Sequence, residues 1–127
     1  MRGPPISRAV PTVIGSLILG SCCGDAGCVS GFTVLLDRLP DTAFRIEVTD
    51  RDRPQQPPLV FDCADPAQCG AGTRFEPATP RNVRVRLATA AGETVRDVRL
   101  DYDELRPNGT FCGPSCASAQ VTVAVPR

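Results

Sequence analysis

Apolar and polar residues alternate with a period of two along most of this chain, and that pattern limits what it can fold into. Phe32, Val34 and Leu36 share one parity, as do Phe44, Ile46 and Val48, with Arg45, Glu47 and Thr49 between them. Val83, Val85 and Leu87 alternate with Arg84 and Arg86, and Val121, Val123 and Val125 repeat the pattern near the C-terminus. Successive side chains of a strand point to opposite faces, so each run predicts a half-buried β-strand. Leu59, Val60 and Phe61 predict a short strand ending at Cys63, and Phe75 anchors a brief edge strand stopped by Pro77 and Pro80. Val95, Val98, Leu100 and Tyr102 form a further run. The step from 95 to 98 breaks the period and predicts a bulge near Arg96 and Asp97.

Turn signals separate these runs. Residues 50–58 form a polar loop with three prolines, and Ala90-Ala91-Gly92-Glu93 predicts a hairpin turn. In Arg106-Pro107-Asn108-Gly109 proline presets φ, and Asn-Gly accepts positive φ. Thirteen prolines in 127 residues disfavour long helices. About seven short strands with regular turn signals predict an all-β chain, a small immunoglobulin-like β-sandwich following an N-terminal signal helix. A small β-barrel is the alternative. The chain has no Trp, so the Cys-Trp-Cys core of antibody domains is absent and only the architecture is implied.

The N-terminus carries an address. Arg2 and Arg8 precede an almost uncharged stretch with Val10, Val13, Ile14, Leu17, Ile18 and Leu19. That stretch is too short to span a hydrocarbon core of roughly 30 Å comfortably and matches an export signal. Leu19-Gly20-Ser21-Cys22 resembles the lipobox of bacterial lipoproteins, in which small residues precede a cysteine that is lipidated and becomes the new N-terminus. The resemblance implies a signal peptide over 1–21, lipid on Cys22, a glycine-rich tether over 22–30 and a β-domain over 31–127. In a host with two membranes, Cys23, and not Asp, directly after the lipidated position implies an outer-membrane anchor facing the periplasm. A stable anchor needs more than one acyl chain.

Seven cysteines are present. Setting Cys22 aside leaves Cys23, Cys28, Cys63, Cys69, Cys112 and Cys116, an even set in an exported domain and so a disulfide framework. They fall into three local pairs, and local pairing is expected for Cys63–Cys69 and Cys112–Cys116. The competing pairing crosses between loops. A four-thiolate zinc site from Cys63, Cys69, Cys112 and Cys116 fits poorly, since only the last two have suitable spacing. Cys112-Gly113-Pro114-Ser115-Cys116 is one residue longer than the thioredoxin Cys-Gly-Pro-Cys, and it leads into a strand where a redox motif needs a helix.

Other chemistry is narrowed by absences. There is no histidine, which removes His-based nucleophile systems and His metal ligands. All 14 basic residues are arginine, against 14 acids, and this balance gives no basic excess for nucleic acid. Arg45, Glu47, Arg84 and Arg86 should project from one sheet face. They form either a charge-balanced solvated surface, the favoured reading, or an arginine face for lipid phosphate or a cell-wall polymer. Asp101 and Asp103 alternate and should share one strand face, and with Glu104 they could begin a calcium site or a hydrolytic carboxylate pair, but neither a ligand loop nor an aromatic platform accompanies them. Asn108-Gly109-Thr110 matches a glycosylation sequon and is read as a turn.

The C-terminal segment, with Tyr102, Arg106-Pro107-Asn108-Gly109 and the two cysteines around Pro114, resembles the ends of small uncharacterised bacterial lipoproteins and secreted proteins. That resemblance implies an exported, disulfide-bonded β-domain and no activity. The expected function is therefore non-enzymatic and needs no cofactor or metal. The protein would be a structural or interaction module held to the membrane by lipid, with an envelope protein or the cell wall as partner. The alternatives are a carrier or sensor that holds a ligand in the loops at 65–72 and 107–116, and, less favoured, a thiol redox enzyme.

Overall fold

The computed structural model describes residues 27–109 and 115–127. The signal segment, Cys22, Cys23 and Cys112 lie outside the described residues. Among the described residues there are eight strands: β1 (Gly31–Leu36), β2 (Phe44–Asp50), β3 (Leu59–Cys63), β4 (Gly72–Phe75), β5 (Asn82–Thr89), β6 (Gly92–Arg99), β7 (Asp103–Leu105) and β8 (Cys116–Val123). One helical turn, α1 (Pro66–Cys69), interrupts them, started by Asp65, whose Oδ1 accepts the Ala67 amide at 3.1 Å. The strands form two four-stranded sheets, ordered β4-β1-β8-β7 and β3-β2-β5-β6. This is an all-β sandwich and not a closed barrel.

By contacts the chain divides into two compact units. The larger holds Val29–Glu104 and Ala117–Arg127. The core lies within the larger unit, and the period-two residues build it. Ile46 sits between Phe61 and Leu87 in register, and Val48 between Leu59 and Val85. In the other sheet Phe32 lies between Phe75 and Ala119, and Val34 between Thr73 and Val121. Phe32, Val34, Ile46, Val83, Val85, Leu87 and Val123 are fully buried in one continuous cluster. The rings of Phe32 and Phe75 stack at 5.2 Å.

Three local expectations are revised. First, the bulge near Arg96 and Asp97 does not form. β6 pairs with β5 one-to-one from Asn82↔Arg99 to Thr89↔Gly92. Val98 faces inward opposite Val83, whereas Val95 lies exposed on the outer face opposite Arg86. Second, residues 29 and 30 are part of the sandwich and not of a loose tether. The Val29 carbonyl accepts from Arg74 at 2.9 Å, and Ser30 Oγ accepts the Ala117 amide at 3.0 Å. Third, Asp101 precedes β7, so it does not share a strand with Asp103.

The expected turns do form. Ala90 and Ala91 connect β5 to β6, and the Gly109 amide donates to the Arg106 carbonyl at 3.0 Å with Gly109 at φ 102°.

Candidate functional site

The expected cysteine sites are partly redrawn. Cys63 and Cys69 are bonded, as local pairing predicts, and their bond encloses α1. Cys116 pairs with Cys28, 88 residues away in sequence, and not with Cys112. The physical reason is topological. β1 and β8 run parallel, with Gly31 beside Ser118, so the chain segments leading into both strands converge. A Cys112/Cys116 dithiol and a four-thiolate zinc site are therefore both overturned, since Cys63, Cys69 and Cys116 are all in disulfides. No group of three or more metal-ligating side chains occurs among the described residues.

The carrier reading needs loops 65–72 and 107–116 at one end of the domain. Ala71 and Gly72 lie at the Leu36 end of β1, where the Leu36 amide donates to the Ala71 carbonyl at 2.8 Å. Ser118, two residues after Cys116, lies beside Gly31 at the opposite end of β1. Residues 110–114 of the second loop lie outside the described residues.

The arginine face is charge-balanced. Arg84 makes a two-pronged contact with Asp97 at 2.7 and 3.0 Å, and Arg51 approaches the same carboxylate at 3.8 Å. Arg86 pairs with Glu93 at 3.4 Å, and Arg45 reaches Glu47 and Asp62, both at 3.7 Å. The Arg84 hydrogen bond holds the Asp97 carboxyl below the ordinary carboxylate range, with Arg51 adding to the effect. A shallow groove of about 320 Å³ runs between Arg51, Arg84 and Arg86, but each of these guanidiniums already faces a carboxylate.

A different site emerges from the loop after β2. The Asp50 carboxylate accepts the Asp52 amide at 2.9 Å, its carbonyl accepts the Arg53 amide at 3.1 Å, and the Arg53 carbonyl accepts the Gln56 amide at 3.0 Å. Short-range bonding of Asp to the backbone two residues on is the usual way such a turn is set, and Pro54, Pro57 and Pro58 stiffen the rest of the loop. Asn82 at the start of β5 fastens the loop. Its carbonyl accepts the Arg51 amide at 2.8 Å, and its Nδ2 donates to both Asp52 oxygens at 3.2 and 3.1 Å.

Facing the loop is the strip 78–81. It is held by the Tyr102 hydroxyl, which donates to the Pro80 carbonyl at 2.6 Å, and by the Leu100 amide, which donates to the Arg81 carbonyl at 2.7 Å. Burial, with the nearby Asp50 charge, pushes the Tyr102 phenol up to about 12. Between loop and strip lies a cleft of about 440 Å³.

Its charged lining is Asp50, Asp52, Arg53 and Arg81, over an apolar floor that includes Val48 and Leu59. The two carboxylates are oriented by hydrogen bonds, whereas neither guanidinium has a side-chain partner among the described residues. The cleft's volume is in the range of small-ligand sites, and its lining is more polar and exposed than such sites usually have. In the sequence, residues 50–58 read only as a polar, proline-rich loop. The closely spaced Asp50, Arg51, Asp52 and Arg53 beside prolines were the visible signal, but only the fold brings Arg81 to them.

Comparisons with protein-family models, curated proteins and solved structures give no significant match to this chain.

Proposed function

We propose that this chain is a lipid-anchored protein of the bacterial cell envelope, working by binding and not by catalysis as a structural or interaction module. The observation that carries the reading is Leu19-Gly20-Ser21-Cys22 at the end of a basic and then apolar N-terminus. The Cys28–Cys116 and Cys63–Cys69 disulfides support it, because such bonds persist in oxidising compartments outside the cytoplasm. In a host with two membranes, Cys23 after the lipidated position favours an outer-membrane anchor facing the periplasm. Its partners are the membrane through the acyl chains, and an envelope protein or the cell wall through the folded domain.

Expression in a bacterial host, then membrane fractionation, tests this. Mass spectrometry should find the N-terminal peptide beginning at Cys22 with a diacylglyceryl mass. Cys22→Ser should abolish that mass and release the protein from membranes. An unmodified Cys22 in a membrane-free protein would overturn the reading. A second reading, a ligand-binding carrier or sensor, is favoured by one observation, the preformed cleft between loop 50–58 and strip 78–81.

A further inference from the structure

We propose that the cleft between loop 50–58 and strip 78–81 binds a small ligand carrying both a primary ammonium and a carboxylate, an amino acid or short peptide with free ends. This inference deepens the carrier reading, and the cleft's chemistry is the same whether or not Cys22 carries lipid.

The argument begins with charge. The lining holds two carboxylates, Asp50 and Asp52, and two guanidiniums, Arg53 and Arg81. A purely anionic ligand would meet both carboxylates, and a purely cationic one would meet both guanidiniums. A ligand with separated charges of both signs satisfies each pair.

Partnering sharpens this. Arg53 and Arg81 have no side-chain acceptor among the described residues, so a carboxylate entering the cleft displaces no internal ion pair. Planar guanidinium forks match carboxylates in two-pronged geometry. Asp50 and Asp52 are oriented by the Asp52 amide and by Asn82, and they keep unused acceptor positions.

The nature of the cation is set by what the lining lacks. Quaternary ammonium groups are recognised by aromatic faces, and no aromatic residue lines this cleft. Carboxylates as the cation's acceptors instead call for N–H donors, which a primary ammonium supplies. The floor of Val48, Leu59 and Pro57 provides apolar contact for side chains between the two charged ends. The backbones of both walls are fastened in advance, by Asn82 on one side and Tyr102 on the other, so the ordering left for binding falls on the Arg53 and Arg81 side chains.

The test is titration of the full-length, isotope-labelled protein in a non-ionic detergent with trialanine, read by amide NMR. Saturable shifts confined to residues 50–58 and 78–82 are expected. N-acetyl-trialanine and trialanine amide should each bind about tenfold or more weakly. Arg53→Gln and Arg81→Gln should each weaken binding by a similar factor while leaving the thermal midpoint unchanged, since both side chains are exposed and unpaired. Asp50→Asn, which keeps an acceptor for the Asp52 amide, should weaken trialanine but not the N-acetylated form. Absence of saturable shifts would overturn the proposal. So would binding that ignores blocking of either end, or inorganic phosphate or phosphocholine binding as tightly as trialanine. Lipidation of Cys22 is read separately by mass, so either proposal can fail alone.

Discussion

Gly31 shows how much one residue's environment decides. In the sequence it directly follows the glycine-rich stretch 22–30, and nothing there announces close packing. In the fold it is buried at the first position of β1, and a Cβ there would run into the Phe75 carbonyl oxygen. The neighbour is backbone in a paired strand and cannot move aside. Gly31→Ala should therefore lower stability by about 1–3 kcal/mol, the usual range for overpacking, as read by denaturant melts.

Tyr102 is a second case. Its sequence position gave a strand residue before a turn, while its hydroxyl is the support of the Pro80 wall. Tyr102→Phe should cost about 1 kcal/mol at neutral pH through the lost hydrogen bond. The wild-type phenol keeps its proton up to about 12 when folded, but only to about 10 when unfolded. The contribution of Tyr102 to stability is therefore full below pH 10 and is lost as pH rises from about 10 to about 12. With one tyrosine and no lysine in the chain, that limb reports chiefly on Tyr102, and it should flatten in the Phe variant.

At the scale of elements, interior strands were legible throughout and edge strands unevenly: β3 and β4 lie where Leu59 to Cys63 and Phe75 place them, whereas the pattern within β6 misleads. β2 and β5 sit inside a sheet and bury one face, so their alternation is clean and their inward residues were identified correctly. β6 is an edge strand with mostly exposed residues, where Val95 can face solvent at small cost, and its pattern mimicked a bulge. What β6 does carry is Arg96. Its guanidinium crosses to the Thr122 carbonyl of β8, in the other sheet. The neighbouring Val123 carbonyl accepts the Asp37 amide, on the β1 side. Carbonyls alternate along a strand, so that of Thr122 points away from β1 and needs a donor from elsewhere. Arg96 supplies it and places a charge at the exposed edge, which also discourages pairing with another strand. Arg96→Ala should lower stability by about 1–2 kcal/mol. It should also speed amide hydrogen exchange in β6 more than in β2, and equal acceleration in both strands would show a merely global effect.

At the scale of the whole molecule, sequence proximity was a good guide for one disulfide and a poor one for the other. Cys63 and Cys69 close a six-residue separation around one helical turn, a purely local problem. Cys28 and Cys116 meet because β1 pairs in parallel with β8, and no local pattern announces a parallel pairing between the two ends of a domain. The same limit hid the cleft, whose Arg81 joins loop 50–58 only through the β2–β5 pairing. The two bonds should therefore differ in what they contribute. Loop-closure entropy grows with the length enclosed, giving about 2 kcal/mol for the Cys63–Cys69 loop and about 4–5 kcal/mol for the loop closed by Cys28–Cys116. The longer loop takes in every strand from β1 to β7. Replacing Cys28 and Cys116 together by serine should lower denaturant stability by roughly twice the loss seen for the Cys63/Cys69 double serine variant. The paired replacement avoids leaving a free thiol that could exchange with Cys23 or Cys112. Equal losses, or a larger loss from the Cys63/Cys69 pair, would mean that local packing around α1, and not chain closure, dominates the disulfide contribution.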